Sequence, residues 1–266
     1  MNKFLNRIIQ GDCLDIMPQI PDKSIDMILC DLPYGTTRNK WDIVIPLDRL
    51  WEQYKRIIKE NGTIVLTAVQ IFSSQLVMSQ PTFFKYDWIW KKTIYSGQLN
   101  VNHQPLRAHE NILVFYTKQP TYNQQFTAGK PYSINRKITF KGESYNKQKD
   151  NQKVNNGYRY PASVLEFSNP RIKGGHPTQK PVELFKYLIK TYTNEGEIVL
   201  DNCIGAGTTA LACLQTNRNF IGIEISKAYC EMANKNINEY YHQNAAATHK
   251  NSMERQTAIQ ASLQIQ

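Results

Sequence analysis

Ile25-Asp26-Met27-Ile28-Leu29-Cys30 runs without a break into Asp31-Leu32-Pro33-Tyr34-Gly35, and the reading of this stretch decides the fold. The first six residues form a mostly apolar run of strand length, the pattern of a buried strand. The five that follow place a carboxylate, a rigid proline and an aromatic ring at its carboxyl end. In an open α/β sheet, ligands bind in the crevice beyond the carboxyl ends of the strands, so Asp31 and Tyr34 stand where a substrate would sit. The alternative is a proline turn with a capping Asp31 and a surface Tyr34.

Outward from this stretch the chain alternates strand and helix patterns. Residues 6–10 are short and partly apolar, and 13–20 read as a brief helix stopped by Pro18 and Pro21. Residues 46–59 carry Leu47, Leu50, Trp51, Tyr54, Ile57 and Ile58 at helical spacing, between a proline in the first turn and Asn61-Gly62. Strands are expected at 62–68, 86–91 and 111–116, with a second covering helix at 70–79. After a long interruption, helix 181–192, strand 197–201, helix 209–216, strand 219–224 and helix 227–241 resume the alternation. Such an order predicts an α/β class with parallel pairing and right-handed crossovers.

The interruption, 118–173, loses apolar periodicity and fills with Lys, Arg, Asn, Gln and Tyr, among them Lys130, Tyr132, Arg136, Lys137, Lys153, Tyr158, Arg159 and Tyr160. A loop of that length inside a compact domain is either a functional insertion or disordered. Basic residues interleaved with aromatic rings suit contact with phosphates and bases. Residues 242–266 have no strong apolar face and read as a frayed or disordered tail.

One α/β domain with an insertion fits the 266 residues and their 41% hydrophobic content. The 32 Lys+Arg against 22 Asp+Glu give a formal charge of +10, which favours a polyanionic partner such as nucleic acid over acidic small molecules. No stretch has the length and apolarity of a membrane span, so the expectation is a cytoplasmic protein without membrane contact. Cys13, Cys30, Cys203, Cys213 and Cys230 are scattered, odd in number and mostly in apolar surroundings, as buried free thiols would be. No His or Cys spacing fits a structural zinc site, and no metal is expected.

A second constellation lies near the carboxyl end. Asp201 closes a strand, Gly205-Ala206-Gly207-Thr208-Thr209 makes a tight turn into a helix, and Glu224 ends the next strand. This is a nucleotide-cofactor fingerprint, in which glycines let the backbone approach the ligand and the acid accepts ribose hydroxyls. Alone it does not separate NAD from S-adenosylmethionine. Asp201 before the loop can pair with a ligand ammonium, which the methionyl group has and NAD lacks.

Together these residues carry a resemblance. Asp31-Leu32-Pro33-Tyr34 resembles the Asp-Pro-Pro-Tyr signature of amino-directed DNA methyltransferases, and Asp201 to Thr209 resembles their Asp-Pro-Phe-x-Gly-Ser-Gly-Thr-Thr cofactor motif. His176-Pro177-Thr178-Gln179-Lys180-Pro181 looks like a third hallmark, and the order of motifs is that of the β group. Leu32, Asn202, Cys203 and Ala206 depart from the family's Pro, Pro, Phe and Ser.

The resemblance implies a circularly permuted, Rossmann-like S-adenosylmethionine-dependent methyltransferase fold. Residues 1–117 would form the catalytic half of the sheet, 118–173 the target-recognition insertion, 174–241 the cofactor half and 242–266 the tail. It assigns catalysis to Asp31, Leu32, Pro33 and Tyr34. It assigns S-adenosylmethionine to Asp12, Cys13, Asp31, Lys180, Asp201, Cys203, Gly205, Gly207, Thr208, Thr209 and Glu224, with Asp12 facing the adenine; a helix N-cap is the plainer reading of Asp12. It further implies double-stranded DNA as partner and is compatible with a homodimer.

The expected chemistry follows from the target. An exocyclic amine is a poor nucleophile because its lone pair is delocalised into the ring, so acceptors for both N–H bonds bring it toward a reactive geometry. Asp31 and a backbone carbonyl near Leu32 or Pro33 would supply them, and Tyr34 would stack on a base turned out of the duplex. Adenine N6 is the expected target, since the family's cytosine-N4 enzymes mostly have Ser where this chain has Asp31. Cytosine-N4 transfer, a catalytically silent DNA-binding subunit and an NAD enzyme are the alternatives.

Overall fold

In the computed structural model, residues 1–35, 42–136, 151–169 and 179–263 are described. His176-Pro177-Thr178 and the 137–150 part of the insertion lie outside them. In chain order the elements are β1 (Arg7–Gln10), α1 (Cys13–Ile16), β2 (Ile25–Cys30), α2 (Leu47–Ile57), β3 (Ile58–Ala68), α3 (Phe72–Ser79), β4 (Phe84–Ser96) and β5 (Arg107–Phe115). Then come β6 (Thr127–Ala128), β7 (Tyr132–Arg136), β8 (Asn151–Asn155), β9 (Tyr158–Arg159) and β10 (Val164–Phe167). The chain closes with α4 (Val182–Tyr192), β11 (Ile198–Asp201), α5 (Thr208–Leu214), β12 (Asn219–Glu224) and α6 (Lys227–Leu263).

Eight strands form one sheet in the order β1-β12-β11-β2-β3-β5-β4-β10. Every neighbouring pair is parallel except those made by β5, which runs antiparallel to both β3 and β4. The central strand β2 is buried from Met27 to Cys30, and its period of two splits the core into two layers. Ile28 and Cys30 face Leu50, Trp51 and Tyr54 of α2 and Phe72 and Leu76 of α3. Met27 and Leu29 face Leu184, Phe185, Leu188 and Ile189 of α4 and Ala210 and Ala212 of α5. In α2 the buried set Leu50, Trp51, Tyr54 and Ile57 is the helical stripe that the sequence spacing predicts.

Three elements differ from the sequence reading. β3 starts at Ile58 and resumes pairing after a bulge, with Gly62 where an added Cβ would stand 2.9 Å from the Asp26 carbonyl. The 118–173 stretch contains two small antiparallel sheets, β6 with β9 and β7 with β8, and its last strand, β10, joins the main sheet beside β4. The backbone beyond Tyr241 continues as helix to Leu263, since neither Pro nor Gly occurs after Gly222 to break it.

The permuted order has a local consequence. β1 lies beside β12, and the Gly11 amide donates to the Glu224 carbonyl at 2.9 Å. Asp12, after β1, and Glu224, ending β12, therefore meet at the same edge as Asp201 and Asp31.

Candidate active site

Asp31 follows β2, and both of its oxygens are engaged. Tyr34 Oη donates to Oδ1 at 2.6 Å, the Thr67 hydroxyl from β3 donates to the same oxygen, and Lys180 Nζ donates to Oδ2 at 2.6 Å. Tyr34 Oη also lies 3.0 Å from Thr67 Oγ1. The Tyr34 ring packs 5.5 Å from Phe72 and carries the Lys180 ammonium 5.5 Å from its centroid. Burial, and then the negative charges of Asp31 and Glu110, hold the Tyr34 phenol well above its ordinary pKa, so it is a neutral donor. Leu32 is buried in the core and Pro33 half-buried, which fixes the loop on which Asp31 and Tyr34 stand.

Sequence reasoning missed three residues here: Thr67, Glu110 and Lys92. Lys180 Nζ lies 3.3 Å from Glu110 Oε2 as well as against Asp31, and Lys92 Nζ lies 2.6 Å from Glu110 Oε1. Among the described residues Glu110 Oε2 has no hydrogen-bond donor, and its approach to Lys180 is an ion pair held by charge. The Lys180 ammonium is engaged by two carboxylates. Burial opposes its charge, but Asp31 and Glu110 more than offset this and its pKa rises above the usual lysine range. The sequence signal was a charge embedded at the ends of two apolar runs, Trp88-Ile89-Trp90-Lys91-Lys92 and Glu110-Asn111-Ile112-Leu113-Val114.

The glycine turn forms as its spacing predicts. Gly205 (φ 53°) and Gly207 (φ 89°) both adopt left-handed backbone, which a side chain would oppose. A Cβ at Gly207 would stand 3.1 Å from Ala233 Cβ, so glycine there lets α6 approach the turn without being pushed back. Asp201 is buried; its Oδ1 accepts from the Cys203 amide at 3.0 Å and its Oδ2 from the Thr209 hydroxyl. Burial raises its pKa to about 7, against the lowering effect of those two hydrogen bonds. Glu224 accepts from Gly205 N at 2.9 Å through Oε2 and from Ser226 N at 2.8 Å through Oε1. Both acids thus hold the loop, and each oxygen keeps a further acceptor lone pair.

Asp12 is exposed and caps α1, accepting from Leu14 N at 2.8 Å. The Cys13 and Cys30 thiols both interact with that of Cys203. Burial pushes the Cys30 thiol up to about 12, so this trio is protonated. Asn202, where the resembled motif has Pro, accepts a 2.6 Å hydrogen bond from buried Tyr54, which accounts for an amide at that place. Thr208 is buried at the start of α5.

The insertion presents an aromatic surface. Phe126 lies 5.2 Å from Tyr160 and 6.2 Å from Tyr158, and all three rings are exposed. The Arg159 guanidinium stacks 4.9 Å above the Tyr132 ring.

A family model described as DNA methylase matches residues 25–235. The chain is 28% identical over 249 residues to the type II methyltransferase M.HpaI of Haemophilus parainfluenzae, covering 88% of this chain and 75% of that one. It is 25% identical in sequence to the M1.HpyAVI crystal structure in complex with SAM, at a TM-score of 0.59 over 86% of this chain and 98% of the other. It also shares the fold of the cytosine-N4-specific PvuII DNA methyltransferase, with 17% identity and a TM-score of 0.63 over 85% and 84% of the two chains. Among the described residues no helix is long and apolar enough to cross a membrane.

Proposed function

The chain belongs to the DNA methylase family, and from that premise we propose that it transfers a methyl group from S-adenosylmethionine to the N6 amine of an adenine in double-stranded DNA. The observation that carries the reading is the Asp31 carboxylate, fixed by a cation on one oxygen and by two exchangeable hydroxyls on the other, beside a half-buried tyrosine.

The amine N–H of the target takes a place on Asp31 Oδ1, which drops the Tyr34 hydroxyl and frees its ring to lie against the base. Such stacking returns about 1–3 kcal/mol against an unpairing cost of a few kcal/mol. A carboxylate is the stronger acceptor for this task, since charge-assisted hydrogen bonds are roughly twice as strong as neutral ones. Asp31 then holds the nitrogen as it gains the methyl group, and the proton that the nitrogen gives up passes by way of the carboxylate to solvent.

The residues around the glycine turn fit S-adenosylmethionine. A left-handed backbone without side chains at Gly205 and Gly207 leaves room for close approach, and Glu224 and exposed Asp12 keep acceptor capacity for ribose and adenine. Asp201, Thr208, Thr209, Cys13 and Cys203 are the further residues proposed to line the cofactor. When bound, the cofactor supplies an electrophilic methyl group on a sulfonium, so neither a metal nor a covalent enzyme intermediate is required.

Cytosine N4 needs the same two acceptors, and it is the second reading because the PvuII enzyme shares this fold. Asp31 in the first position of the signature favours adenine. Intact Asp31 and Tyr34 argue against a silent subunit. Mass spectrometry of nucleosides from duplex DNA methylated in vitro tests the reading: N6-methyladenine is expected, and N4-methylcytosine alone would replace it with the second. The exposed Phe126, Tyr158 and Tyr160, with Lys130, form the proposed DNA-reading surface, and a homodimer is the proposed assembly, measurable by sedimentation.

A further inference from the structure

Four charged side chains form a line of alternating sign that leads into the active site. Lys92 Nζ is 2.6 Å from Glu110 Oε1, Glu110 Oε2 is 3.3 Å from Lys180 Nζ, and Lys180 Nζ is 2.6 Å from Asp31 Oδ2. Their side-chain exposures are 8%, 9%, 6% and 24%, so Asp31, at the end, is the most exposed of the four. Lys92 comes from β4 and Glu110 from its partner β5, while Lys180 precedes α4 and Asp31 follows β2. The two strands that supply the inner pair contribute no residue of any recognised motif.

We infer that Glu110 is a positioning residue for methyl transfer, keeping Lys180 charged and seated on Asp31, with Lys92 as the counter-cation that balances it. This rests on the proposed role of Asp31 as acceptor of the target amine. A buried ammonium is costly unless paired, and a single carboxylate shared with two hydroxyls is a poor partner. Glu110 supplies the second anion for Lys180, and Lys92 keeps the inner end neutral. The line therefore sums to zero charge, and Asp31 Oδ2 is pinned by a group that a substrate amine cannot displace. Oδ1, bonded among the described residues to the hydroxyls of Tyr34 and Thr67, is the oxygen left to exchange.

Among the described residues, the groups facing Lys180 are Asp31, Glu110, the neutral Tyr34 phenol and, through Glu110, Lys92. With Glu110 ionised, the Lys180 pKa lies above the ordinary value. Glu110→Gln removes the charge and keeps the shape. Burial and the charge of Lys92 then act on Lys180 against Asp31 alone, so its pKa falls and the ammonium is lost at lower pH.

The test uses the full chain, S-adenosylmethionine and a methylatable duplex, with kcat/KM measured across pH 6.5 to 10, and 15N-lysine NMR to titrate Lys180 directly. Glu110→Gln should lower kcat/KM about tenfold near neutrality and bring the alkaline loss of activity to lower pH. The pair Lys92→Met with Glu110→Gln removes one cation together with the anion and should restore most of both. Equal activity in Glu110→Gln and wild type, a loss of the same factor at every pH, or a double variant no better than the single would overturn the inference. If Glu110→Gln does not fold, Lys92→Met alone decides: it leaves Glu110 wholly to Lys180, and a downward shift of the lysine titration would overturn the inference, while an upward or unchanged one supports it. Wild-type protein without methylation activity would sink the proposed function instead, and the NMR titration would still test the charge line.

Discussion

The Tyr34 hydroxyl donates to Asp31 Oδ1 at 2.6 Å, so the ring proposed to stack on a base is tied to the carboxylate proposed to accept that base's amine. Entry of the amine must break this bond, and the two residues change state together. Tyr34→Phe removes the tether and keeps the ring, and should retain kcat within a few-fold. Tyr34→Ala removes the stacking surface and should lose about 1–3 kcal/mol, or about 5- to 150-fold in kcat/KM. Equal losses in the two variants would show that the hydroxyl, not the ring, carries the role.

Asp31→Ala should reduce methyl transfer by at least about a thousandfold, as loss of a preorganised electrostatic partner does. Cofactor affinity, measured by calorimetry, should change little. Lys180 then loses one of its two carboxylates, and unfolding in urea should report about 1–3 kcal/mol of lost stability. Asp31→Asn keeps an acceptor oxygen and should keep some activity.

Asp201 links stability to pH. Its folded pKa of about 7 exceeds the ordinary 3.8, so its contribution is fully present below pH 3.8 and is lost as pH rises through about 7. Between these values the unfolded chain releases a proton that the folded chain keeps. Asp201→Asn should therefore gain on wild type by about 2–4 kcal/mol between pH 4 and pH 8, read from urea midpoints at each pH. A gap between the two proteins that does not vary with pH would contradict the burial of an ionisable group there.

Gly207→Ala places a methyl group on left-handed backbone and 3.1 Å from Ala233 Cβ. A cost of about 1–3 kcal/mol in stability is expected, together with weakened S-adenosylmethionine binding, because the turn and α6 must separate to admit the methyl group. Thermal unfolding and calorimetry measure the two effects.

Lys130 is exposed, and its carbonyl accepts from Arg159, the residue between Tyr158 and Tyr160. Lys130→Ala should weaken duplex binding for every sequence alike and reduce the slope of log affinity against log salt by about 1. An unchanged slope would remove that side of the insertion from the DNA interface.

The elements legible in the sequence were those whose signal is local. Six residues of β2, the stripe of α2 and the glycine turn each carry their own periodicity or backbone requirement, and Asp31, Tyr34, Gly205 and Gly207 came with them. Thr67, Glu110 and Lys92 were not legible because only the cross-strand register of β3, β5 and β4 brings them together. Asn111 faces Ala68 on one side and Ile89 on the other, a pairing that no spacing within one strand encodes. Lys180 was recognisable as part of a motif, but its partners come from two distant strands, so its place beside Asp31 was hidden. The edge position of β10 was equally invisible, since four residues in a polar region give no sign of which strand will take them.

The pairing of β1 with β12 sets a timetable for folding. Asn6 and Phe220 are 214 residues apart, and closing a loop of that length costs about 5 kcal/mol of chain entropy. During synthesis, the first strand waits unpaired while the rest of the sheet is being made, and the corner that brings Asp12 to Glu224 exists in no shorter fragment. With the cofactor seated at that corner as proposed, S-adenosylmethionine affinity reports the completed sheet. A ligand held there acts as a clasp on its last-made seam, adding about 2.7 kcal/mol when present at a hundred times its dissociation constant.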